Sequence, residues 1–186
     1  MELINEALTF DDVLLLPQYS SIVPSNTNID VSLSKTISLK IPFISSAMDT
    51  VTESKMAIAM AKNGGIGVIH RNLIIKRQCD EIKKVKKIGL KVGAAIGTSQ
   101  TELLRAKSLI DSGTDMIVID TAHGHSSNVL KMLNKIKKIS KNITICVGNI
   151  ATGEAAKLLY NSGADILKVG IGPGSICTTR MVAGIG

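Results

Sequence analysis

The chain has 186 residues, of which 45% are hydrophobic and 20% charged, a composition that suits one globular domain or part of a larger one. Aromatic residues make up only 2% and tryptophan is absent, so the core has to be built from aliphatic side chains. No apolar run approaches the roughly 18 residues of a membrane span, and the N-terminus lacks the basic-then-apolar pattern of a signal peptide. Three cysteines, an odd count without an export signal, favour reduced thiols in a cytoplasmic protein.

The net charge of +7 at pH 7 comes largely from two lysine-rich stretches. Their other positions are apolar and have helical spacing, so the pattern favours solvated helix faces over a nucleic-acid-binding patch. No aromatic residues accompany these lysines, which weakens a single-strand-binding interpretation further. The lysines are Lys83, Lys84, Lys86, Lys87 and Lys91 in the first stretch and Lys131, Lys135, Lys137, Lys138 and Lys141 in the second.

Residues 1–40 show no clear period. A short apolar run, Leu8–Pro17, ends at a proline, and a hairpin is expected around Val31–Leu39. We interpret residues 1–40 as an N-terminal capping segment laid over the main domain.

From residue 41 onward the sequence becomes regular, with six apolar, strand-like runs spaced 23 to 27 residues apart. Helical patterns separate the runs, as in the apolar stripe that includes Cys79 and Ile82. A repeated strand and helix predicts a parallel sheet that is buried on both faces. The runs begin near Ile41, Gly65, Lys91, Met116, Ile143 and Ile166.

Capping residues and glycines mark the predicted helix ends. Two similar phrases, DSGTD at 111–115 and NSGAD at 161–165, predict the same helix-to-strand turn used twice. Cys79, on a helix stripe, and Cys146, inside a strand, are predicted core residues. Asp49 is an alternative cap for the helix after the first strand. The candidate N-caps are Thr52, Ser99, Ser127 and Thr152, and the candidate helix stops are Gly64, Gly113 and Gly163.

Two α/β architectures fit this period, a doubly wound open sheet and a (β/α)8 TIM barrel. An open sheet concentrates its polar site residues near one switch point, whereas a barrel draws them from the carboxyl end of every strand. Polar residues follow all six runs here, so we predict the barrel. They include Ser45, Ser46, Asp49, His70, Arg71, Asn72, Thr98, Asp120, His123, His125, Asn149 and the loop at 172–179.

Six units do not close an eight-stranded barrel, and open strand edges are a liability. We therefore expect residues 41–186 to be the first six units of a catalytic barrel that continues beyond residue 186.

The last strand-like run leads into a glycine-rich loop, Gly172-Pro173-Gly174, followed by Cys177 and Arg180. Glycines allow a ligand to approach the backbone closely. A thiol in such a loop, close to a cation, is a candidate nucleophile. The alternative is a Gly-Pro turn that carries a buried cysteine, and the residues alone leave both interpretations open.

Six segments, in order, resemble the IMP dehydrogenase / GMP reductase family along nearly the whole chain. GMP reductase shares the GIGPGS-x-CTTR loop, while SSAMD, DTAHGHS and MVAG favour the dehydrogenase. The segments are LTFDDVLLLP (8–17), SSAMDTVTE (45–53), GGIGVIHRN (64–72), DTAHGHS (120–126), VGNI (147–150) and KVGIGPGSICTTRMVAG (168–184).

The resemblance implies NAD-dependent oxidation of inosine 5′-monophosphate (IMP) to xanthosine 5′-monophosphate in guanine nucleotide biosynthesis. Cys177 matches the nucleophile that forms a covalent thioimidate with the purine, and Thr179 would lie near the hydrolytic water. On the substrate, Ser46 and Met48 would flank the nucleotide. Ser175 would bind its phosphate, and Asn149 would orient groups beside the loop.

The resemblance also implies two cofactors, NAD and potassium. Asp120 would accept a hydrogen bond from the cofactor ribose, and His123, Arg71 and Gly170 would lie on the cofactor side. Separately, His123 and His125 have the His-x-His spacing of a metal site, but no third ligand has convincing spacing. The potassium ligands would be the backbone carbonyls of Gly172, Gly174 and Cys177.

The family further implies a homotetramer, and this sequence departs from its pattern in two ways. Lys87 is joined to Lys91 by Ile88, Gly89 and Leu90 alone, where family members usually carry a paired-CBS regulatory module, so we expect no nucleotide regulation through it. By the resemblance, the segments that complete the family's site are also expected beyond residue 186. We therefore expect no turnover from residues 1–186 alone, which leaves an inactive fragment as an alternative.

Overall fold

A parallel sheet of six strands, curled into an open half-barrel, organises the chain, and helices cover its outer face. The computed structural model describes Leu8 and residues 10–186. The strands are β1 (Val31–Ser32), β2 (Ser38–Leu39), β3 (Ile44–Ser45), β4 (Ile66–Ile69), β5 (Val92–Ile96), β6 (Met116–Asp120), β7 (Thr144–Ile150) and β8 (Ile166–Val169). The helices are α1 (Ser54–Lys62), α2 (Ile75–Lys86), α3 (Gln100–Asp111), α4 (Ser127–Ile139), α5 (Gly153–Asn161) and α6 (Thr179–Ala183). Single 3-10 turns lie at Phe10–Asp12 and Pro24–Asn26.

The strand order in the sheet is β3-β4-β5-β6-β7-β8, and every neighbouring pair is parallel. Each strand therefore pairs with the one that precedes it in the chain, without the reversal that defines a doubly wound sheet. The order excludes the doubly wound alternative and confirms the α/β class. All six predicted strands are present, although β3 is shorter than its apolar run.

Alternation along the strands divides the core into two clusters. On β6, Ile117 and Ile119 pack beneath the helices, whereas Met116 and Val118 face the inside of the half-barrel. Successive side chains of a strand point to opposite faces, so a strand buried on both faces needs an unbroken apolar run. Each fully buried Val or Ile side chain contributes about 1.5–3 kcal/mol.

The predicted hairpin is confirmed, and it covers the amino-terminal end of the sheet. β1 and β2 pair antiparallel, and Ile37 and Leu39 are buried against the inner cluster. The Thr36 and Ser34 hydroxyls lie 2.9 and 2.8 Å from the hydroxyl of Thr144, the first residue of β7. Residues 11–30 are exposed throughout, and residues 1–7 and Thr9 of the expected capping segment lie outside the described residues.

The helix ends match the predicted glycines better than the predicted N-caps. Gly64, Gly113 and Gly163 have φ values of +91°, +89° and +95°, the left-handed conformation that ends a helix. The Thr152 side chain accepts a hydrogen bond from the Ala155 N–H at 3.2 Å, as an N-cap should.

The other N-cap predictions are partly wrong. Ser99 stands at the N-cap of α3 without a side-chain hydrogen bond. Ser126, rather than Ser127, precedes α4, and Glu53, rather than Thr52 or Asp49, precedes α1. Thr52 instead donates its hydroxyl to the Ser46 carbonyl at 2.6 Å, so it stabilises the loop after β3.

The repeated turn uses its aspartate in the same way twice. Asp115 accepts from the Val92 N–H at 2.9 Å, and Asp165 accepts from the Ile145 N–H at 2.8 Å. Lysines in the last turns of α2 and α4, each one unit earlier in the chain, pair with these carboxylates, Lys86 with Asp115 and Lys137 with Asp165. Both turns therefore hold the start of a neighbouring strand.

None of the described helices is both long and apolar enough to cross a bilayer.

The amino terminus of α1 is capped by a residue from α2. Glu81, which is buried, accepts the Ser54 N–H at 2.8 Å and pairs with Lys84. Burial raises the pKa of this carboxyl, but the hydrogen bonds from Lys84 and Ser54 outweigh it and lower the pKa from 4.5 to about 2.

Glu81→Gln should therefore change the acid stability of the protein. Because the folded-state pKa lies below the unfolded one, the carboxylate stabilises the fold above about pH 4.5, and this contribution is lost as the pH falls towards 2. Urea unfolding should show a loss of about 1–2 kcal/mol for Glu81→Gln at pH 7, shrinking at pH 3. Asp80→Asn, an exposed change on the same helix, is the control. An equal loss at both pH values would contradict the expectation.

Candidate functional site

The polar residues singled out in the sequence lie at one edge of the sheet. Because all six strands are parallel and paired in chain order, their carboxyl ends meet there. Asp120 is the last residue of β6, and Asn149 lies near the end of β7. Ser46, Met48 and Arg71 follow β3 and β4 and are exposed.

The amide of Asn149 is attached to the start of the glycine-rich loop. Its Nδ2 donates to the Gly170 carbonyl at 2.7 Å, and the Gly170 N–H donates to the Ile150 carbonyl at 2.8 Å. Gly170 has φ +111°, which a residue with a side chain rarely adopts. Two predicted site residues, Asn149 and Gly170, are therefore brought into direct contact.

The loop itself, residues 170–180, is closed by its own hydrogen bonds. The Cys177 N–H donates to the Gly174 carbonyl at 2.9 Å. The Arg180 Nε donates to the Ile171 carbonyl at 2.8 Å, which ties the first turn of α6 to the end of β8. Gly172 has φ +56°, and a Cβ at this position would lie only 3.1 Å from Arg180 Cγ and 3.4 Å from Thr179 Cβ. A side chain at residue 172 would therefore strain the loop.

The Cys177 thiol is exposed and hydrogen-bonded to the Thr179 hydroxyl at 3.1 Å. The Thr179 side chain and backbone N–H lower the pKa of Cys177 against a small opposing effect of desolvation, and the charge of Arg180 lowers it further. The turn with a buried cysteine, the alternative considered from the sequence, is therefore wrong.

The other two cysteines lie in the core, as predicted. Cys79 is buried beneath the helices and Cys146 on the inner face of the sheet. Burial raises the pKa of Cys146 to about 12, with Lys168 opposing the shift and Asp120 adding to it. Of Cys146 and Cys177, only Cys177 lies in an environment that lowers the pKa of the thiol and so favours the thiolate.

Lys168 is a residue of this edge that sequence reasoning passed over. Its Nζ lies 3.1 Å from Asp120 Oδ1, so the two form an ion pair across β7. Lys168 and Ser46 also line one cavity of about 190 Å³ inside the half-barrel. The only signal in the sequence was a charged residue in an otherwise apolar strand.

Other predicted residues are not brought together. Among the described residues, no hydrogen bond or ion pair joins Cys177 to Ser46, Asp120 or Asn149. Ser175 is exposed within the loop. The rings of His123 and His125 are 6.5 Å apart, and no group of three metal-ligating side chains occurs in the part of the chain that the structure describes.

A polar cluster joins the loops after β3 and β4. His70 is 3% exposed, its Nδ1 accepts the Asn72 N–H at 3.2 Å, and its Nε2 lies 3.5 Å from Glu53 Oε1. Asn72 in turn donates its amide to Asp49 at 3.1 Å. Asp49 therefore links two loops rather than capping α1.

Comparison with known proteins identifies one family over nearly the whole length of the chain. Residues 7–186 match the model of the IMP dehydrogenase / GMP reductase domain. The chain is similar to the inosine-5'-monophosphate dehydrogenases of Cryptosporidium parvum (45% identical) and Borreliella burgdorferi (44%), with 98% of the chain covered in both. The enzyme of the same name from Aquifex aeolicus is 33% identical, also over 98% of the chain. The chain spans 56%, 57% and 64% of the length of these three relatives.

Alkylation by iodoacetamide should report the environment of Cys177. In the folded protein Cys177 should react while buried Cys79 and Cys146 do not, and Cys177→Ala should remove the labelling. Thr179→Val removes a hydrogen bond that lowers the pKa, so alkylation at pH 7 should slow by about two- to tenfold and recover at higher pH. Thr178→Val is the matched control, and identical pH profiles for the two valine variants would contradict the role of Thr179.

Proposed function

The chain belongs to the IMP dehydrogenase / GMP reductase family, and we propose that its protein oxidises IMP to xanthosine 5′-monophosphate with NAD. Membership supports an oxidoreductase, and the curated relatives described above carry the dehydrogenase name. The proposed reaction is a step of guanine nucleotide biosynthesis.

One observation carries the proposal, namely an exposed thiol with a lowered pKa on the glycine-rich loop. The loop begins where Asn149 holds the Gly170 carbonyl at the carboxyl edge of the sheet. Chemistry in barrel enzymes is found at this edge. A thiolate suits the proposed reaction because it is a good nucleophile and later a good leaving group.

In the proposed mechanism, the Cys177 thiolate adds to C2 of the purine. The C2 hydrogen departs with its bonding electrons, and a thioimidate then joins Sγ to C2. Bound NAD supplies the hydride acceptor. Water attacks C2 of the thioimidate and loses its proton to solvent, and the sulfur leaves as thiolate to release the product. Thr179, already hydrogen-bonded to Sγ, is placed to stabilise that thiolate and to lie near the water.

The substrate nucleotide would be held by the residues that flank the loop. Ser46 and Met48 are exposed at the end of β3 and would contact the nucleotide from one side. Ser175, exposed in the loop, would donate its hydroxyl to the phosphate. Asn149 would hold the start of the loop against the end of β7 through its hydrogen bond to the Gly170 carbonyl.

Asp120 suits the proposed role of binding the cofactor ribose. The ion pair with Lys168 uses Oδ1, and a carboxylate has acceptor capacity for further hydrogen bonds through Oδ2. His123 and Arg71 are exposed beyond β6 and β4, which is consistent with positions on the cofactor side. Gly170 would allow the cofactor to approach the backbone closely.

The carbonyls of Gly172, Gly174 and Cys177 are the proposed potassium ligands. Backbone carbonyl oxygens suit a hard cation, and the Gly174 oxygen, which accepts the Cys177 N–H, keeps a second lone pair. The left-handed conformation of Gly172 turns the loop sharply at this point. When bound, the ion would hold the loop that carries Cys177.

We further propose that the half-barrel is part of a complete (β/α)8 barrel, with residues 1–40 as its capping segment and 41–186 as its first six units. The fraction of the relatives that the chain spans supports this. Residues 87–91 connect α2 to β5 directly, so nucleotide regulation through a module at this point is not expected. A cytoplasmic homotetramer remains part of the proposal.

The assay should use the protein in the full form that its gene encodes. With IMP and NAD, the absorbance of reduced nicotinamide should rise, and Cys177→Ala should lower kcat by about a thousandfold or more, because the covalent step is lost. Cys79→Ala, a core thiol, is the control and should retain turnover. Potassium removal should also slow the enzyme.

Two outcomes would contradict the proposal. Activity with GMP and NADPH alone would identify a reductase instead. Turnover of IMP by Cys177→Ala at the wild-type rate would rule out the covalent mechanism.

A further inference from the structure

We propose that Lys168 is a positioning residue that holds the Asp120 carboxylate in place for the cofactor, through an ion pair that crosses β7. The inference rests on the proposed function, since it concerns the same cofactor site. Neither the pattern of the sequence nor the family resemblance stated above assigns a role to Lys168. Its side chain enters the site because of the strand register.

Three residues lie in one row across the sheet. In the pairing of β6 with β7, Asp120 stands opposite Gly148, and in the pairing of β7 with β8, Gly148 stands opposite Lys168. Residues in register on neighbouring parallel strands point to the same face. Adjacent strands are about 4.8 Å apart, so β6 and β8 are about 10 Å apart, a gap that a long lysine stem can bridge.

The middle residue of the row has to be small. A Cβ on Gly148 would lie 2.5 Å from the Cβ of Lys168 and 2.7 Å from its carbonyl oxygen. The lysine stem therefore occupies the space above Gly148 and reaches Asp120 at 3.1 Å. The absence of a side chain at Gly148 therefore makes room for the Lys168 side chain from β8.

The ion pair lies at the border between the apolar interior and the carboxyl edge. The side chains of Lys168 and Asp120 are 42% and 27% exposed. Cys146 precedes Gly148 on the same face of β7. Its pKa is raised mainly by burial, and Lys168 lowers it while Asp120 raises it. Among the described residues, no other cationic side chain forms an ion pair with Asp120.

This geometry makes the orientation of Asp120 depend on Lys168. A half-buried carboxylate without a counter-ion turns towards water, because burial of an unpaired charge is costly. With Lys168 on Oδ1, the second oxygen accepts no hydrogen bond from the described residues and is held at a defined position. Hydrogen bonds to a cofactor hydroxyl then form without reorientation of the side chain.

The test compares three variants of the full enzyme in cofactor binding and turnover. Lys168→Met should weaken NAD binding by about tenfold and raise KM for NAD more than it lowers kcat, since loss of a charge-assisted hydrogen bond is of that size. Lys168→Arg should restore most of the affinity. Lys157→Met, on the exposed face of α5, should change nothing. NAD affinity is measured by calorimetry, which does not depend on catalysis.

A second arm separates positioning from loss of structure. Covalent labelling of Cys177 by 6-chloropurine ribonucleotide should proceed at the wild-type rate in Lys168→Met, because the nucleotide site is left intact. If Lys168 acts through Asp120, the double variant Lys168→Met/Asp120→Asn should bind NAD no more weakly than Asp120→Asn alone. Lys168→Gln is measured by the same criteria if the methionine variant does not fold.

Unchanged NAD affinity in Lys168→Met would overturn the inference. So would additive losses in the double variant, which would mean that Lys168 acts independently of Asp120, or a parallel loss of Cys177 labelling, which would mean a purely structural role. Failure of the wild-type enzyme to bind NAD would instead contradict the proposed function, so the two failures are distinguishable.

Discussion

Hydrogen bonding between parallel strands in chain order is the constraint on which the site depends. Because each strand pairs with its predecessor, all six carboxyl ends lie along one edge of the sheet. The four central strands, β4 to β7, are buried on both faces over most of their length, so their polar groups emerge mainly where the strands end. Asp120, Asn149 and the loop at 170–180 therefore share an edge although they are far apart in the chain.

Local environment, rather than residue type, sets the pKa of each of these thiols. Cys146 and Cys177 are separated by one α/β unit, yet burial raises the pKa of the first to about 12, while hydrogen bonds from Thr179 lower that of the second. The loop turns at Gly170 and Gly172, where the backbone has positive φ values that favour glycine. Cys177 lies exposed in this loop. The loop thus leaves the thiol of Cys177 accessible and lowers its pKa.

The sequence predicted the repeating part of the fold well because the repeat is local. Apolar runs and helical stripes report which face of each element is buried, and the glycines at 64, 113 and 163 end helices through their own backbone conformation. The N-caps were harder to predict because several polar residues precede each helix. Thr52, the predicted cap of α1, donates instead to the Ser46 carbonyl, an interaction that depends on the path of the loop.

The sequence by itself determined the strand and helix order, the glycine-rich loop with a cysteine as candidate nucleophile, and, through its motifs, the family. Only the tertiary structure decided that this cysteine is exposed and which side chains meet across units. Lys168 reaches Asp120 over Gly148, and Glu81 of α2 caps α1 at Ser54. The period of the apolar residues predicts which face of each element is buried, because it depends only on neighbouring positions in the chain. The partners of Lys168 and Glu81 depend on strand register and helix docking, which are set only when distant segments pack together.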